Sequence, residues 1–184
     1  MILDPLELTP VEERAGRLYK RDDLHQHPTG VNGAKWRQCQ MLVERGAASG
    51  STTILTGASI LSPQHAMTAV AANALGLPSV HVIGGTTVEK AARRPSVQVA
   101  LEAGAKFLPI AVGYNPALQS AVQELAEKVP ASSILHYGVT LEPDAPLEDV
   151  QAFHDLGARQ VDNVPAGLQD LVIPFGSGNS AASI

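Results

Sequence analysis

Between residues 52 and 137 short apolar runs alternate with longer stretches of helical periodicity, and nothing else in the chain limits its fold as tightly. Thr52–Thr56, Ser79–Ile83, Lys106–Val112 and Ser132–Tyr137 read as strands. The segments from Pro63 to Ala74, 87 to 103 and Pro116 to Lys128 read as helices, with Pro95 breaking or restarting the second. Met67, Val70, Ala71 and Ala74 mark one packing face, and Leu118, Val122, Leu125 and Ala126 another. A β-α-β-α-β-α-β order with apolar strands predicts a parallel sheet covered on both faces. Abundant Ala and Gly, with few aromatics, suit close helix–sheet packing.

The flanks are less regular. Residues 1–15 read as an irregular lead-in, 16–20 as a first strand, and 34–46 as a helix closed by Gly46. Leu147–Leu156 reads as a helix closed by Gly157. Leu171–Phe175 reads as a last strand running into Gly176-Ser177-Gly178-Asn179-Ser180 and a helix start. At 184 residues the chain suffices for one domain or a small pair of lobes.

Charge and cysteine content exclude several classes. Thirteen basic against eighteen acidic residues give a net charge of -5, which argues against nucleic acid as a main partner. Cys39 is the only cysteine, so neither an intrachain disulfide nor a metal site of usual cysteine spacing can form. Its apolar helical surroundings make it a buried structural thiol. The N-terminus lacks a basic segment followed by a long apolar run, and no stretch is long enough to span a membrane; a cytoplasmic protein is expected.

Three places carry candidate chemistry. Lys35 follows the turn-forming Gly30-Val31-Asn32-Gly33-Ala34 and opens a helix. Exposed amides there disfavour a cation, so the amine loses its proton more readily and can attack a carbonyl. The loop after the 52–56 strand, Gly57-Ala58-Ser59-Ile60-Leu61-Ser62-Pro63-Gln64-His65, sets Ser59, Ser62, Gln64 and His65 at a strand end, where a carboxylate or other small anion could bind. The same residues allow a plainer role, with Ser62 as a helix N-cap and His65 as a core or surface residue. The Gly176–Ser180 turn offers amides and hydroxyls that suit a phosphate, or glycines for a tight strand–helix turn. It also matches a dinucleotide fingerprint, but the later strand and acidic residue which that motif requires lie beyond the sequence.

Taken as an ordered set, Tyr19-Lys20-Arg21-Asp22-Asp23-Leu24, Asn32-Gly33-Ala34-Lys35-Trp36-Arg37, Gly57–Ser62 and Gly176–Ser180 resemble the fold type II pyridoxal-phosphate enzymes. This is the tryptophan synthase β-like superfamily, and the resemblance is nearest its 1-aminocyclopropane-1-carboxylate (ACC) deaminase and D-cysteine desulfhydrase branch. It implies an α/β fold of open, mostly parallel twisted sheets with flanking helices, continuing in relatives past the point where this sequence stops. Residues 1–50 and 140–184 would form part of the larger, cofactor-binding lobe, and 51–139 the smaller lobe. The cofactor would be pyridoxal 5'-phosphate, held as a Schiff base by Lys35 and through its phosphate by Gly176, Ser177, Gly178, Asn179 and Ser180. Ser59 and Ser62, with Gln64 and His65 beside them, would receive the substrate carboxylate. Ser62 would also take part in proton transfer, and Lys35 would act as base at Cα.

The implied activity is that of a lyase or deaminase of amino acid metabolism, working on a small amino-acid-like substrate by elimination, deamination or replacement. The implied partner is a second copy of the chain or a complementary C-terminal fragment. Two departures stand out. Pro63 occupies the place where relatives carry Asn near the cofactor ring hydroxyl, and Ala34 separates Gly33 from Lys35 where Asn often precedes the lysine. A degenerate binding or interaction module on the same fold is the first alternative, and a nucleotide-binding Rossmann-like module the second.

Overall fold

The computed structural model describes residues 3–33, 35–170, 172 and 182–183. The chain divides into two compact units, Cys39–Glu142 and Leu3–Gln38 with Pro143–Ile184.

The first unit holds the parallel sheet. Its strands are β3 (Thr53–Gly57), β4 (Ser79–Gly84), β5 (Lys106–Ile110) and β6 (Ser132–Leu135), in the order β5-β4-β3-β6 and all parallel. The connections are α2 (Gln64–Ala74), the short α3 (Val88–Ala91) with α4 (Pro95–Glu102), and α5 (Asn115–Lys128). The expected alternation is present, and Pro95 begins α4, where a missing N–H leaves no bond unmade.

Each face of the sheet has its own core. Leu55, Val82, Leu118 and Val122 form the layer beneath α5. On the other face α2 and α4 pack on small residues, with Ala69, Ala100 and Ala105 in one cluster and Ile83, Ala91 and Val97 in another. Small side chains let helix and strand backbones approach closely, which accounts for the alanine-rich composition.

Glycines fix two of these approaches. A Cβ on Gly84 would run into the carbonyl of Val112. Gly84→Ala is therefore expected to destabilise the fold by about 3 kcal/mol, read from the urea midpoint, because the obstacle is backbone rather than a movable side chain. Gly46 lies inside α1 (Lys35–Ala48) and does not end it. A Cβ there would sit 2.7 Å from Ser133 Oγ, so the glycine serves packing. The helix closes instead at Gly50, whose φ of +87° suits glycine and whose N–H donates to the Ala47 carbonyl.

The second unit contains the hairpin β1 (Val11–Arg14) and β2 (Arg17–Lys20), the start of α1, and α6 (Leu147–Ala158). The lead-in expected to be irregular thus contributes a strand. Ala15 and Gly16 both have positive φ, 51° and 71°, the geometry of a two-residue hairpin turn. Gly157 is internal to α6, against the reading of it as a helix stop, and a Cβ there would crowd the Ser183 side chain at 2.6 Å. The expected 171–175 strand and the Gly176–Ser180 loop lie outside the described residues, Val172 apart.

Candidate functional site

Within the parallel sheet β3 leads through α2 to β4 on one side, while β6 pairs on the other side of β3. The connections therefore diverge between β3 and β6. In open α/β sheets ligands bind beyond the strand C-termini at such a divergence. The loop 57–62 begins there.

Local bonds shape that loop. The Ser62 N–H donates to the Ser59 carbonyl at 2.8 Å, and the Leu61 N–H to Ser59 Oγ at 3.3 Å. Ser62 Oγ accepts from the Gln64 N–H at 3.2 Å, but the N-cap of α2 is Pro63, at φ -66° and without a side-chain capping bond, rather than the expected Ser62. Ser96 Oγ donates to the Ser62 carbonyl at 2.6 Å and fixes the loop from α4. Ser59 and Leu61 are exposed, and Ser62 is half-buried.

Gln64 and His65 turn the other way. The Gln64 side chain is buried and joins β3 to β6: Nε2 donates to Thr56 Oγ1 at 2.7 Å and to the His136 carbonyl at 3.0 Å, while Oε1 accepts from the Gly138 N–H at 2.9 Å. His65 is fully buried, with Nε2 at 3.2 Å from the Ala58 carbonyl and Nδ1 at 3.1 Å from His81 Nδ1. Burial pushes the His65 pKa down to about 4 against the pull of the Ala58 and Ser59 carbonyls, and holds His81 well below its ordinary value. His81 was not marked as a site residue from sequence. The available signal was a histidine on the inward face of an otherwise apolar strand.

In the second unit, Gly30 and Gly33 have φ of +86° and +97°, and the Gly33 carbonyl accepts from the Trp36 N–H at 2.9 Å. These turns deliver Lys35 as the first residue of α1, with no acidic residue in the first helical turn. Lys35 is half-buried, and desolvation lowers its pKa. Trp36 and Arg37 behind it are buried. Arg37 donates from Nε to the Pro5 carbonyl at 3.1 Å and from Nη2 to the Glu7 carbonyl at 2.5 Å, tying the lead-in to the helix. His25 is also buried; desolvation first, then the Arg37 guanidinium, pushes its pKa down to about 4.

Cys39 is fully buried and its thiol is pushed up to about 12 by desolvation, as an inert core residue should be. Among the described residues no group of three or more His, Cys, Asp and Glu could hold a metal ion, and no helix is long and apolar enough to cross a membrane.

No protein-family model matches the chain. Over 159 residues it is 35% identical to the O-seryl-dTMP PLP-dependent decarboxylase of Salmonella phage ViI, where PLP is pyridoxal phosphate; the match covers 84% of this chain and 37% of that protein. Among solved structures it superposes on an ACC deaminase homologue with a TM-score of 0.69 at 20% identity, over 89% of this chain and 48% of the other. The chain is thus similar in sequence to a PLP-dependent enzyme and in fold to an ACC deaminase homologue. It spans less than half the length of either relative. The structure gives a PLP fit one direct check, at Lys35. Condensation with an aldehyde needs a neutral amine, and a half-buried lysine at a helix N-terminus has its ammonium form disfavoured. The residue fits the group.

Proposed function

We propose that this chain supplies part of the site of a PLP-dependent enzyme acting at Cα of a small amino-acid-like substrate. The observation that carries this reading is the placement of Lys35, first in α1 and disfavoured as a cation by desolvation. PLP, when bound, provides an electron sink for the bond broken at Cα. The remaining roles fall to the protein. Lys35 holds the cofactor aldehyde and then takes or returns the proton at Cα. Gly176, Ser177, Gly178, Asn179 and Ser180 receive the phosphate. The amides and hydroxyls of the Ser59–Ser62 loop, at the divergence between β3 and β6, receive the substrate carboxylate, with Ser62 near the transferring proton. Gln64 and His65, buried and internally bonded, shape that loop from beneath. The unit Cys39–Glu142 serves as the smaller lobe, and the other unit as part of the cofactor-binding lobe.

Elimination, deamination and replacement all begin with proton loss at Cα. The sequence identity to a decarboxylase supports a second outcome. There the Cα–carboxylate bond breaks, CO2 leaves, and Lys35 delivers a proton to Cα. The name of that relative also suggests an amino acid carried on a nucleotide as the substrate class.

Incubation with PLP and L-serine in heavy water separates these outcomes. Deuterium at Cα of recovered serine, absent in Lys35→Ala, supports proton abstraction. Release of CO2 without exchange in recovered serine supports decarboxylation. Neither exchange nor CO2, with serine or with a serine-bearing thymidylate, would overturn the enzymatic reading.

A further inference from the structure

Beneath the Ser59–Ser62 loop runs a chain of three hydrogen bonds with no opening to solvent. Ser79 Oγ lies 3.0 Å from His81 Nε2, His81 Nδ1 lies 3.1 Å from His65 Nδ1, and His65 Nε2 lies 3.2 Å from the Ala58 carbonyl. Phe107 lies against both imidazoles, with ring centroids at 5.4 and 5.1 Å. His65 and His81 are fully buried and Ser79 is 3% exposed.

The direction of the chain follows from its last member. A carbonyl oxygen can only accept, so His65 carries its proton on Nε2 and donates to Ala58. Neutral His65 then presents Nδ1 as an acceptor, so His81 must donate from Nδ1. His81 Nε2 is left as an acceptor, and the Ser79 hydroxyl fills it. Each gap holds one hydrogen, and reversing any bond sets two donors or two acceptors face to face. The two histidines therefore occupy opposite tautomers.

We propose that Ser79, His81 and His65 are positioning residues, a neutral hydrogen-bond relay that fixes the Ala58 carbonyl and thereby the loop that begins at Ser59. Ala58 is the last buried residue of the strand end before the exposed Ser59, so its peptide plane sets the direction in which the following amides leave the sheet. The consequence for ligand affinity rests on the reading of this loop as a carboxylate site. The relay itself does not.

The test is long-range proton–nitrogen NMR on the histidine rings of the whole, isotope-labelled chain at neutral pH, with and without acetate as the carboxylate probe. The expected result is a pure Nε2–H tautomer for His65 and a pure Nδ1–H tautomer for His81. Ser79→Ala, a mild change at the far end, leaves the His81 Nε2 acceptor unfilled; it should shift the His81 Nε2 resonance, shift the Ser59–Ser62 amide signals and weaken acetate about tenfold, while the Ala58 carbonyl keeps both tautomers in place. Ser79→Thr, which keeps the hydroxyl, should restore all three. His81→Phe should do the same damage by removing the middle of the relay. Identical tautomers in both rings, or loop amides indifferent to Ser79→Ala, would overturn the relay. Correct tautomers and a responsive loop, with no acetate shift in the unaltered chain, would uphold the relay and overturn the carboxylate reading of the loop.

Discussion

Lys35→Ala is expected to abolish the visible absorbance band that forms when PLP is added to the chain. The loss should be complete, because a Schiff base needs the amine that is removed. No other lysine is offered at the start of a helix with its charged form disfavoured in this way. Lys90, Lys106 and Lys128 are exposed. Lys20 is less exposed and has a lowered pKa, but its ammonium donates to the Thr9 carbonyl at 2.7 Å and to Asn163 Oδ1 at 2.9 Å. Those bonds hold it as a structural cation. Lys35→Arg should fail as well, since it keeps the charge without a condensable amine. A band of unaltered strength in Lys35→Ala would place the chemistry elsewhere.

The second large effect is a loss of stability in mild acid. His25 and His65 have pKa values pushed down to about 4 from 6.5, and His81 lies lower than its ordinary value too. The unfolded chain takes up these protons as pH falls through 6.5, whereas the folded chain resists until about 4. Stability from this source is complete above 6.5 and declines as pH falls towards the folded values. For His25 and His65 together the decline is about 5 kcal/mol by pH ~4.5, comparable with the whole stability of a small domain. Urea unfolding followed across this range should show it, and His65→Phe should flatten the profile by one histidine's share. An unaltered slope in that variant would show that His65 titrates normally. The surface pairs of Arg21 with Glu12 and Asp23 are partly exposed, so water screens their contribution to the same profile.

The parts of this molecule legible from sequence are those where local pattern and tertiary packing agree. The four parallel strands and the helices between them follow from period and length, and Pro95 punctuates them as its chemistry requires. Glycine misled where packing, rather than a turn, selected it. Gly46 and Gly157 read as helix stops, yet both lie inside helices because a neighbouring serine leaves no room for a Cβ. The β1–β2 hairpin escaped notice because Ala15 holds a positive-φ turn position usually taken by Asn, Asp or Gly. At the candidate site, residue types alone place Ser59, Ser62, Gln64 and His65 in one segment. They do not tell which side chains face outward, because loop 57–62 passes into α2 between them. Only the fold shows Gln64 joining two strands and His65 meeting His81 sixteen residues on.

The central claim is that Lys35 is the residue that holds PLP, and covalent trapping tests it most directly. The chain is equilibrated with PLP, reduced with borohydride to make any Schiff base permanent, digested and mapped by mass. The account predicts a pyridoxyl group on Lys35, absent when reduction is omitted. A label spread over exposed lysines such as Lys90 and Lys106, with Lys35 unmodified, would contradict it.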